Sequence, residues 1–143
     1  MLELKLKKIT STAITPTKAH DTDACFDIYA NSEAIIHPNE TVLIHTGFAT
    51  DIPHGYWGAV FARSGMATKR GLRPANCVGV IDESYRGEWL VALHNDSDED
   101  QAVHIGDKIA QFTLLPYFDT KIIEVGELNN TDRGAGGFGS SGM

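Results

Sequence analysis

The tripeptide Arg63-Ser64-Gly65 combines three groups that can bind a phosphate. A guanidinium and a hydroxyl both donate hydrogen bonds to phosphate oxygens, and glycine leaves the backbone N–H open to close approach. The residues Gly65–Lys69 predict a short helical turn, and the free N–H groups at a helix start favour anions. Because this tripeptide also arises by chance, it predicts a phosphate site only in combination with other features.

The segment Gly79–Gly87 carries the acidic residue best placed for acid–base chemistry. Val80 and Ile81 form an apolar run that leads directly into Asp82, and a polar turn follows. A carboxylate in this position is expected to be partly desolvated, which suits a general base. The alternative is a turn aspartate that binds its own backbone. By the same reasoning, Tyr85 is either a ligand contact or an ordinary strand aromatic.

The C-terminal segment from Arg133 to Met143 is rich in glycine and has no pattern that could form a core. Because glycine loses the most entropy when it is ordered, the segment is predicted to be flexible. It nevertheless carries a guanidinium at Arg133 and a lone aromatic ring at Phe138. A flexible arm with these two groups could close over an aromatic, anionic ligand. The alternative is a disordered tail with an incidental phenylalanine.

The distribution of charge favours a small anionic ligand. The chain has 12 Lys and Arg residues against 19 Asp and Glu residues, which gives a formal net charge of −7. No acidic residue lies between Asp51 and Asp82, where the basic residues are Arg63, Lys69, Arg70 and Arg73. This cationic stretch indicates a confined anion site, or it is a chance fluctuation. The acidic total argues against nucleic acid as a partner, because binding its backbone requires many basic groups.

Several common motifs are missing or out of context. Gly134–Gly139 matches GxGxxG, but the chain ends too soon for the helix that a dinucleotide site requires. No P-loop, HExxH or GxSxG sequence occurs. The N-terminus lacks the apolar core of an export signal, and no stretch is long enough to span a membrane. Cys25 and Cys77 form no CxxC pair; they suit a reducing compartment, with a single disulfide as the alternative. We expect a cytoplasmic protein.

Hydrophobic residues recur with a period of two along most of the chain, which is typical of β-strands. Apolar and polar residues alternate in Leu2–Lys7 and again in Ile109–Leu114. Turn residues separate further short β-favouring runs, which are Ile28–Ala30, Ala34–His37, Val42–Thr46, Tyr56–Ala62, Cys77–Ile81, Trp89–His94 and Lys121–Val125. This spacing predicts an all-β fold of short antiparallel strands, as a sandwich, barrel or jelly roll, with at most one short helix.

Five segments of the chain, in order, closely resemble the five sequence motifs of the trimeric dUTPase family (deoxyuridine triphosphate nucleotidohydrolases). They are Asp23–Ala30, Arg63–Ala67, Gly79–Gly87, Gly106–Phe112 and Arg133–Gly142. The resemblance implies a jelly-roll-like β domain over residues 1–130 and a flexible arm over residues 131–143 that closes over an active site. It also implies a homotrimer with active sites at subunit interfaces. The implied reaction is hydrolysis of dUTP to dUMP and pyrophosphate, which limits uracil in DNA and supplies dUMP.

The resemblance also implies roles for individual residues. Asp82 matches the base that activates the water attacking the α-phosphorus. The phosphate-binding positions are Arg63, Ser64, Gly65, Gln111 and Arg133, with Ser140, Ser141 and Lys69 as weaker candidates. The uracil and deoxyribose positions are Asn76, Gly79, Val80, Ile81, Tyr85 and Phe138. Mg²⁺ is the implied cofactor, bound across the triphosphate without a direct protein ligand and with Asp27 near its water shell.

Two alternatives predict different chemistry. The related dCTP deaminases share the implied fold, but the position of their catalytic glutamate corresponds to Ala92 in this chain. A catalytically silent deoxynucleotide-binding regulatory protein would need to keep neither Asp82 nor the arm. We therefore expect a dUTP diphosphatase whose partners are dUTP and further copies of itself, and neither nucleic acid nor a membrane.

Overall fold

The computed structural model describes residues 1–142, within which the chain forms eleven strands and one helix. In chain order these elements are β1 (Lys5–Lys8), β2 (Phe26–Tyr29), β3 (Ala34–Ile36), β4 (Thr41–His45), β5 (Phe48–Asp51), β6 (Tyr56–Phe61), α1 (Ser64–Arg70), β7 (Leu72–Pro74), β8 (Gly79–Ile81), β9 (Leu90–Asn95), β10 (Gln101–Val103) and β11 (Lys108–Pro116). The predicted all-β class with one short helix is confirmed. No helix within the described residues is long and apolar enough to cross a membrane.

The strands pair in an antiparallel manner throughout. The largest sheet has the order β2-β11-β6-β8, a second has the order β4-β9-β7, and the pairs β1-β5 and β3-β10 complete the fold. In the largest sheet β11 lies between β2 and β6, so Gln111 is opposite Asp27 on one side and Phe61 on the other. This register brings three of the sequence motifs to one end of the sheet.

Three aromatic rings form the centre of the core. Trp89 packs against Phe48 and Phe112, with ring centroids 5.3 and 4.9 Å apart. All three side chains are buried, and the Trp89 indole N–H donates a hydrogen bond of 3.0 Å to the Thr50 hydroxyl. Because that donor is satisfied, the ring is buried without an unpaired polar atom. The core therefore joins β5 and β11 firmly to the segment that enters β9.

One irregularity in β11 changes the face on which a charged residue lies. The pairing register shifts between Lys108 and Ala110, and both Ile109 and Ala110 are buried. A strict alternation, as the sequence predicts, would place Lys108 and Gln111 on opposite faces. A β-bulge inserts one extra residue into a strand, so it reverses the alternation beyond it. Lys108 and Gln111 therefore line the same cavity.

The predicted helical turn is confirmed as α1. Arg63 is the N-cap residue, with extended backbone angles (φ −84°, ψ 137°), and Gly71 ends the helix with φ +64°. The Gly71 N–H donates to the Met66 carbonyl oxygen, which is the usual closure by a left-handed residue. A side chain at this φ would be strained, and its Cβ would lie 3.0 Å from the Ser97 backbone nitrogen.

The predicted strand at Lys121–Val125 is not formed. The last strand ends at Pro116, and residues 117–142 contain neither strand nor helix and are almost entirely exposed. Ile122 and Ile123 are 91% and 70% exposed. A strand forms only where a neighbouring backbone pairs with its N–H and C=O groups, and no strand of the described chain lies beside this segment.

Candidate active site

The groups of the predicted phosphate site lie where β6 ends and α1 begins. Arg63 and Ser64 follow the last strand residues directly, and a Cβ at Gly65 would meet nothing within 4 Å. The backbone at this position is therefore open to an approaching ligand. An open cavity of about 690 Å³ adjoins these residues, and its lining also includes Ala19, Asp23, Ala24, Cys25, Asp27, Lys108 and Gln111.

Asp27 is the centre of an ion-pair network in this cavity. Its Oδ1 accepts a hydrogen bond of 2.8 Å from Arg63 Nε, and its Oδ2 lies 2.9 Å from Lys108 Nζ. The Asp27 side chain is only 14% exposed. A hydrogen bond and the charge of Asp27 raise the pKa of Lys108. The network has a net charge of +1, which favours an anionic ligand.

Gln111 is held in place from the backbone. Its Nε2 donates a hydrogen bond of 2.9 Å to the carbonyl oxygen of Ala62, the residue before Arg63. An amide nitrogen carries two donors, so the second N–H remains for a ligand. The structure thus brings Arg63, Ser64, Gly65, Gln111 and Asp27 together, as predicted.

A smaller cavity of about 180 Å³ lies at the turn between β7 and β8. Its lining consists of Val60, Pro74, Asn76, Gly79, Val80, Ile81, Leu90, Val91 and Ala92. The turn is tight: Val78 N–H donates 2.7 Å to the Asn76 carbonyl oxygen, and Cys77 adopts φ +62°. A Cβ at Gly79 would lie 3.0 Å from the Cβ of Val60, so glycine allows the close approach of β8 to β6. The predicted base-binding residues Asn76, Gly79, Val80 and Ile81 therefore form one wall.

Asp82 directly follows β8, and in the single chain it is exposed. The expectation that its carboxylate is partly desolvated is wrong for the single chain, because Asp82 is exposed at the start of the β8–β9 loop, residues 82–89. β8 pairs with β6, and β9 pairs with β4 and β7, so this loop connects two sheets. The turn is closed by the backbone, since Tyr85 N–H donates 3.1 Å to the carbonyl oxygen of Asp82. The carboxylate is therefore not required to close the turn.

The Tyr85 side chain folds back along the β8–β9 loop. Its hydroxyl donates a hydrogen bond of 2.8 Å to the Glu88 carbonyl oxygen. A Cβ at Gly87 would lie only 2.5 Å from the Tyr85 hydroxyl oxygen, so the ring occupies the space that glycine leaves open. Tyr85 is 42% exposed.

Arg63 and Asp82 lie at opposite ends of β6. Ile81 is opposite Gly58, so Asp82 lies beside Trp57, and the two residues line one cavity. Arg63 follows the other end of the strand. Six residues at about 3.3 Å each separate positions 57 and 63, which amounts to about 20 Å. Within one chain the two side chains are too far apart to contact the same phosphate.

The predicted residues of the tail lie apart from both cavities. Arg133 Nε donates 2.9 Å to the Gly136 carbonyl oxygen, and Ser140 N–H donates 3.1 Å to that of Gly137. Phe138 has φ +51° and a fully exposed ring, and Ser141 is also exposed. Within one chain, the residues that line the two cavities all lie between positions 19 and 111.

The chain is similar to known proteins over its whole length. A sequence model of the dUTPase family matches residues 11–142. The chain is 43% identical to the deoxyuridine 5'-triphosphate nucleotidohydrolase of Clostridium acetobutylicum, with 100% of this chain and 99% of that protein aligned. It is 44% identical to the protein of the same name from Clostridioides difficile, with 100% of both aligned.

Solved structures show the same relationship. A Staphylococcus bacteriophage 80alpha dUTPase with dUPNHPP superposes with a TM-score of 0.87 and 28% identity, and 99% of each chain is covered. The dUTPase from phage phi11 of S. aureus superposes with a TM-score of 0.80 and 26% identity, covering 90% of this chain and 99% of that chain. The chain therefore belongs to the dUTPase family, and the predicted jelly-roll fold is confirmed.

Two features of the site were not predicted from the sequence. Lys108 belongs to the fourth motif, but strict alternation would have placed it on the face opposite Gln111, and only the bulge brings it to Asp27. The contacts of Glu83 were also missed, because its partners lie 28 or more residues away in the chain. The only signal for Glu83 in the sequence was its position beside Asp82.

Proposed function

We propose that this dUTPase hydrolyses dUTP to dUMP and pyrophosphate by attack of water on the α-phosphorus, with Asp82 as the general base. The observation that carries the proposal is the position of Asp82, which directly follows the three residues of β8 that line the small cavity. One short backbone segment thus fixes both the wall that receives the base and the carboxylate that activates water. Such preorganisation lowers the entropic cost of reaching the transition state.

The triphosphate is assigned to the cavity around Asp27. Arg63 uses Nε for Asp27, and its terminal N–H groups are assigned to phosphate oxygens. The Ser64 hydroxyl, the Gly65 N–H and the second N–H of Gln111 are further donors, with Lys69 as a weaker candidate. Phosphoryl transfer requires mainly positioning and charge neutralisation, and this set of donors provides both.

Base selection is assigned to the β7–β8 segment. The amide of Asn76 offers one donor and one acceptor to uracil, and the mismatch with cytosine leaves buried polar groups unpaired, which discriminates by up to about 10⁴–10⁵. An apolar pocket alone rejects the extra methyl of thymine by only about 1–3 kcal/mol. The pairing of Gly79 with Val60 fixes the position of this wall in the sheet, which sharpens the exclusion. Tyr85 packs on the deoxyribose and leaves no space for a 2′-hydroxyl.

Mg²⁺ is proposed to arrive with the triphosphate. Among the described residues no group of three or more His, Cys, Asp or Glu side chains is arranged to hold a metal ion. Asp27 is the carboxylate in the phosphate cavity, and it fits an ion that keeps its waters and relies on phosphate oxygens. Because Arg63 and Lys108 already pair with Asp27, contact through water requires one of them to turn to the phosphates. The ion neutralises phosphate charge when bound.

A homotrimer with shared active sites is proposed because one chain does not assemble the site. Arg63 and Asp82 are about 20 Å apart along β6, so the phosphate cavity of one protomer must meet the β8–β9 loop of another. The threefold arrangement itself follows from the family resemblance.

Exposed apolar surface also supports association. Phe118, Ile122, Ile123 and Leu128 are between 70% and 91% exposed. An apolar cavity of about 350 Å³ lies elsewhere on the chain, lined by Leu2, Leu4, Leu6, Thr15, Pro16, Phe26, Phe112, Thr113 and Leu114. Exposed apolar surface of this extent is typical of surfaces that contact another protein.

The C-terminal arm, residues 131–143, is proposed to close over the bound nucleotide. Its described part is exposed and bonded mainly to itself, so it can move as a unit. Phe138 is assigned to stacking on uracil, and Arg133 to the phosphates, with Ser140 and Ser141 as further contacts. Closure excludes water other than the attacking molecule, which strengthens each charge interaction in the site. Met143 lies outside the described residues.

A cytoplasmic location is proposed as well. Cys25 and Cys77 are both free thiols in the structure. Free thiols are typical of proteins in a reducing compartment.

The test is a nucleotide panel with the purified protein and Mg²⁺. Pyrophosphate should be released from dUTP and not from dCTP, dTTP or UTP, and no ammonia should form from dCTP. In H₂¹⁸O the heavy oxygen should enter dUMP, because attack at the α-phosphorus leaves the water oxygen there. Label in pyrophosphate would contradict the proposed site of attack. Tight dUTP binding without turnover would indicate a silent regulatory protein.

A further inference from the structure

We propose that Glu83 is a positioning residue for the reaction: it fastens the β8–β9 loop, which carries Asp82, to the turn between β5 and β6. This inference rests on the proposed role of Asp82 as the base. Glu83 lies next to Asp82, but its side chain points back to the protein body and is 28% exposed. The carboxylates of Asp82 and Glu83 thus have different surroundings, although the two residues are neighbours in the β8–β9 loop.

Both oxygens of Glu83 are engaged. Oε1 lies 2.9 Å from His54 Nδ1, and Oε2 accepts a hydrogen bond of 2.7 Å from the Gly55 N–H. Tyr117 lies beside the same carboxylate, and both residues line one cavity. The backbone of Tyr117 is held to the same turn, because its N–H donates 3.0 Å to the Gly55 carbonyl oxygen. We call His54, Gly55, Glu83 and Tyr117 the Glu83 clamp.

The far end of the β8–β9 loop is fastened to the other end of β5. Glu88 Oε2 lies 2.9 Å from His45 Nδ1, and Oε1 accepts 2.8 Å from the Gly47 N–H. Each glutamate therefore binds one histidine and one glycine amide, at the turns that precede and follow β5. Gly47 and Gly55 both have positive φ, +75° and +87°, which directs their amides to the carboxylates.

Arg86 adds a third attachment between these two points. It donates 2.6 Å to the Glu83 carbonyl oxygen and 2.8 Å to the Asp51 carboxylate at the end of β5. Three of the four residues of β5 are buried, so the β8–β9 loop is attached to a strand of the core. Asp82 is therefore placed before any ligand binds.

The chemistry of Glu83 suits positioning and does not suit the role of base. Its two oxygens are already engaged, one by His54 and the other by the Gly55 N–H, so the carboxylate faces the protein body. The titratable groups around it are His54 from the β5–β6 turn, Asp119 and Tyr117 from the segment after β11, and Arg86 and Asp82 from its own loop. Asp82 is exposed and free to face a substrate on another protomer.

The variant Glu83→Gln tests the proposal. Glutamine keeps one acceptor for the Gly55 N–H but loses the negative charge that attracts His54. The β8–β9 loop, which carries Asp82, should therefore move more freely. A misplacement of about 1 Å can lower the rate by about 100-fold. We expect kcat to fall about 10- to 100-fold while KM for dUTP stays within about twofold. Glu83→Asp keeps the charge on a side chain that is one methylene shorter, so it should recover no more than part of the lost kcat.

The matched control is Glu40→Gln. Glu40 also accepts a backbone hydrogen bond in a turn, from His37 N–H at 2.8 Å, but that turn joins β3 and β4. Its kcat should equal that of the unmodified protein. If Glu83→Gln does not fold, His54→Ala removes one contact only and should lower kcat about threefold to tenfold, with unchanged KM. Unchanged kcat in a folded Glu83 or His54 variant would overturn the proposal.

A double variant shows whether Glu83 acts through Asp82. In an Asp82→Asn background, Glu83→Gln should cause no further loss of the residual turnover. An additional loss of the same size as in the single variant would contradict the positioning role. If Asp82→Asn alone keeps full turnover, the base assignment fails; if Asp82→Asn is inactive and Glu83→Gln is fully active, only the clamp fails.

Discussion

The β8–β9 loop that carries Asp82 and the tail that carries Phe138 belong to the same proposed site but are held very differently. The β8–β9 loop is fastened to both ends of β5 through Glu83 and Glu88. The Phe138 ring is fully exposed, and the described tail bonds mainly to itself. Ordering a residue costs about 1–2 kcal/mol of backbone entropy, so the tail can contribute only when a ligand compensates for this cost. In the proposed mechanism, the fastened loop positions the general base before the substrate binds, and the tail is ordered by the bound nucleotide.

The largest expected effect is the loss of activity on substitution of Asp82 in the β8–β9 loop. Asp82→Asn should lower kcat by about 10²–10⁴-fold, because general-base catalysis is lost while the base cavity stays intact. Binding of a non-hydrolysable dUTP analogue, measured by calorimetry, should be unchanged. Asp98→Asn, in an exposed loop, is the control. Near-normal kcat in the Asp82 variant would reject the assignment.

Removal of the tail should separate activity from stability. Truncation after Thr131 removes Arg133 and Phe138, whose charge-assisted hydrogen bond and stacking are together worth about 2.5–6 kcal/mol when formed. We expect kcat/KM to fall by about 10²–10⁴-fold, with Tm and oligomeric mass unchanged. A truncated protein with normal turnover would show that the tail does not close over the site.

Two phenylalanines sharpen the comparison further. Phe112→Ala should lower the free energy of unfolding by about 3–5 kcal/mol, because it opens a cavity beside Trp89. Phe138→Ala should leave stability unchanged and weaken nucleotide affinity by about 1–3 kcal/mol. Denaturant unfolding and calorimetry measure the two effects. Equal losses of stability would show that the tail packs on the body.

The smallest effect concerns pH. The hydrogen bond to Glu83 and its charge raise the pKa of His54 above 6.5, and the bonds from His54 and Gly55 lower the pKa of Glu83 below 4.5. The contribution of His54 is present below pH 6.5 and is lost as pH rises through its raised pKa. That of Glu83 is present above pH 4.5 and is lost as pH falls through its lowered pKa.

The ion pair therefore stabilises most between about pH 4.5 and 6.5. Because both groups are near solvent, the effect is small and screened by salt. The Tm difference between the protein and His54→Asn should be largest near pH 6 and should shrink above the raised His54 pKa. It should vanish at every pH in a Glu83→Gln background.

Much of the fold followed from local pattern. Alternation in Ile109–Leu114 predicted β11, and the helical turn after Arg63 was found within one or two residues. The bulge at Lys108 was not predictable, because it depends on the register with β2. The run Lys121–Val125 has a strand-like pattern, yet a pattern cannot supply the neighbour that a strand requires.

For the candidate site, too, the residue types were predictable and the spatial arrangement was not. Residue types and motif order identified Arg63, Asn76 and Asp82 as candidates, and the structure grouped Arg63 with Gln111 and Asn76 with β8. The sequence could not show that Asp82 is exposed in one protomer. That exposure depends on which surfaces the folded chain leaves uncovered.

The sequence by itself determined the family and the all-β class and supplied the candidates for the reactive groups, because these depend on residue types and short-range order. Only the tertiary structure decided that Arg63 and Asp82 lie at opposite ends of β6, and that Glu83 binds a turn 28 residues earlier in the chain. The reason is physical: strand pairing and burial set distances between remote segments, and those distances determine which side chains can act together.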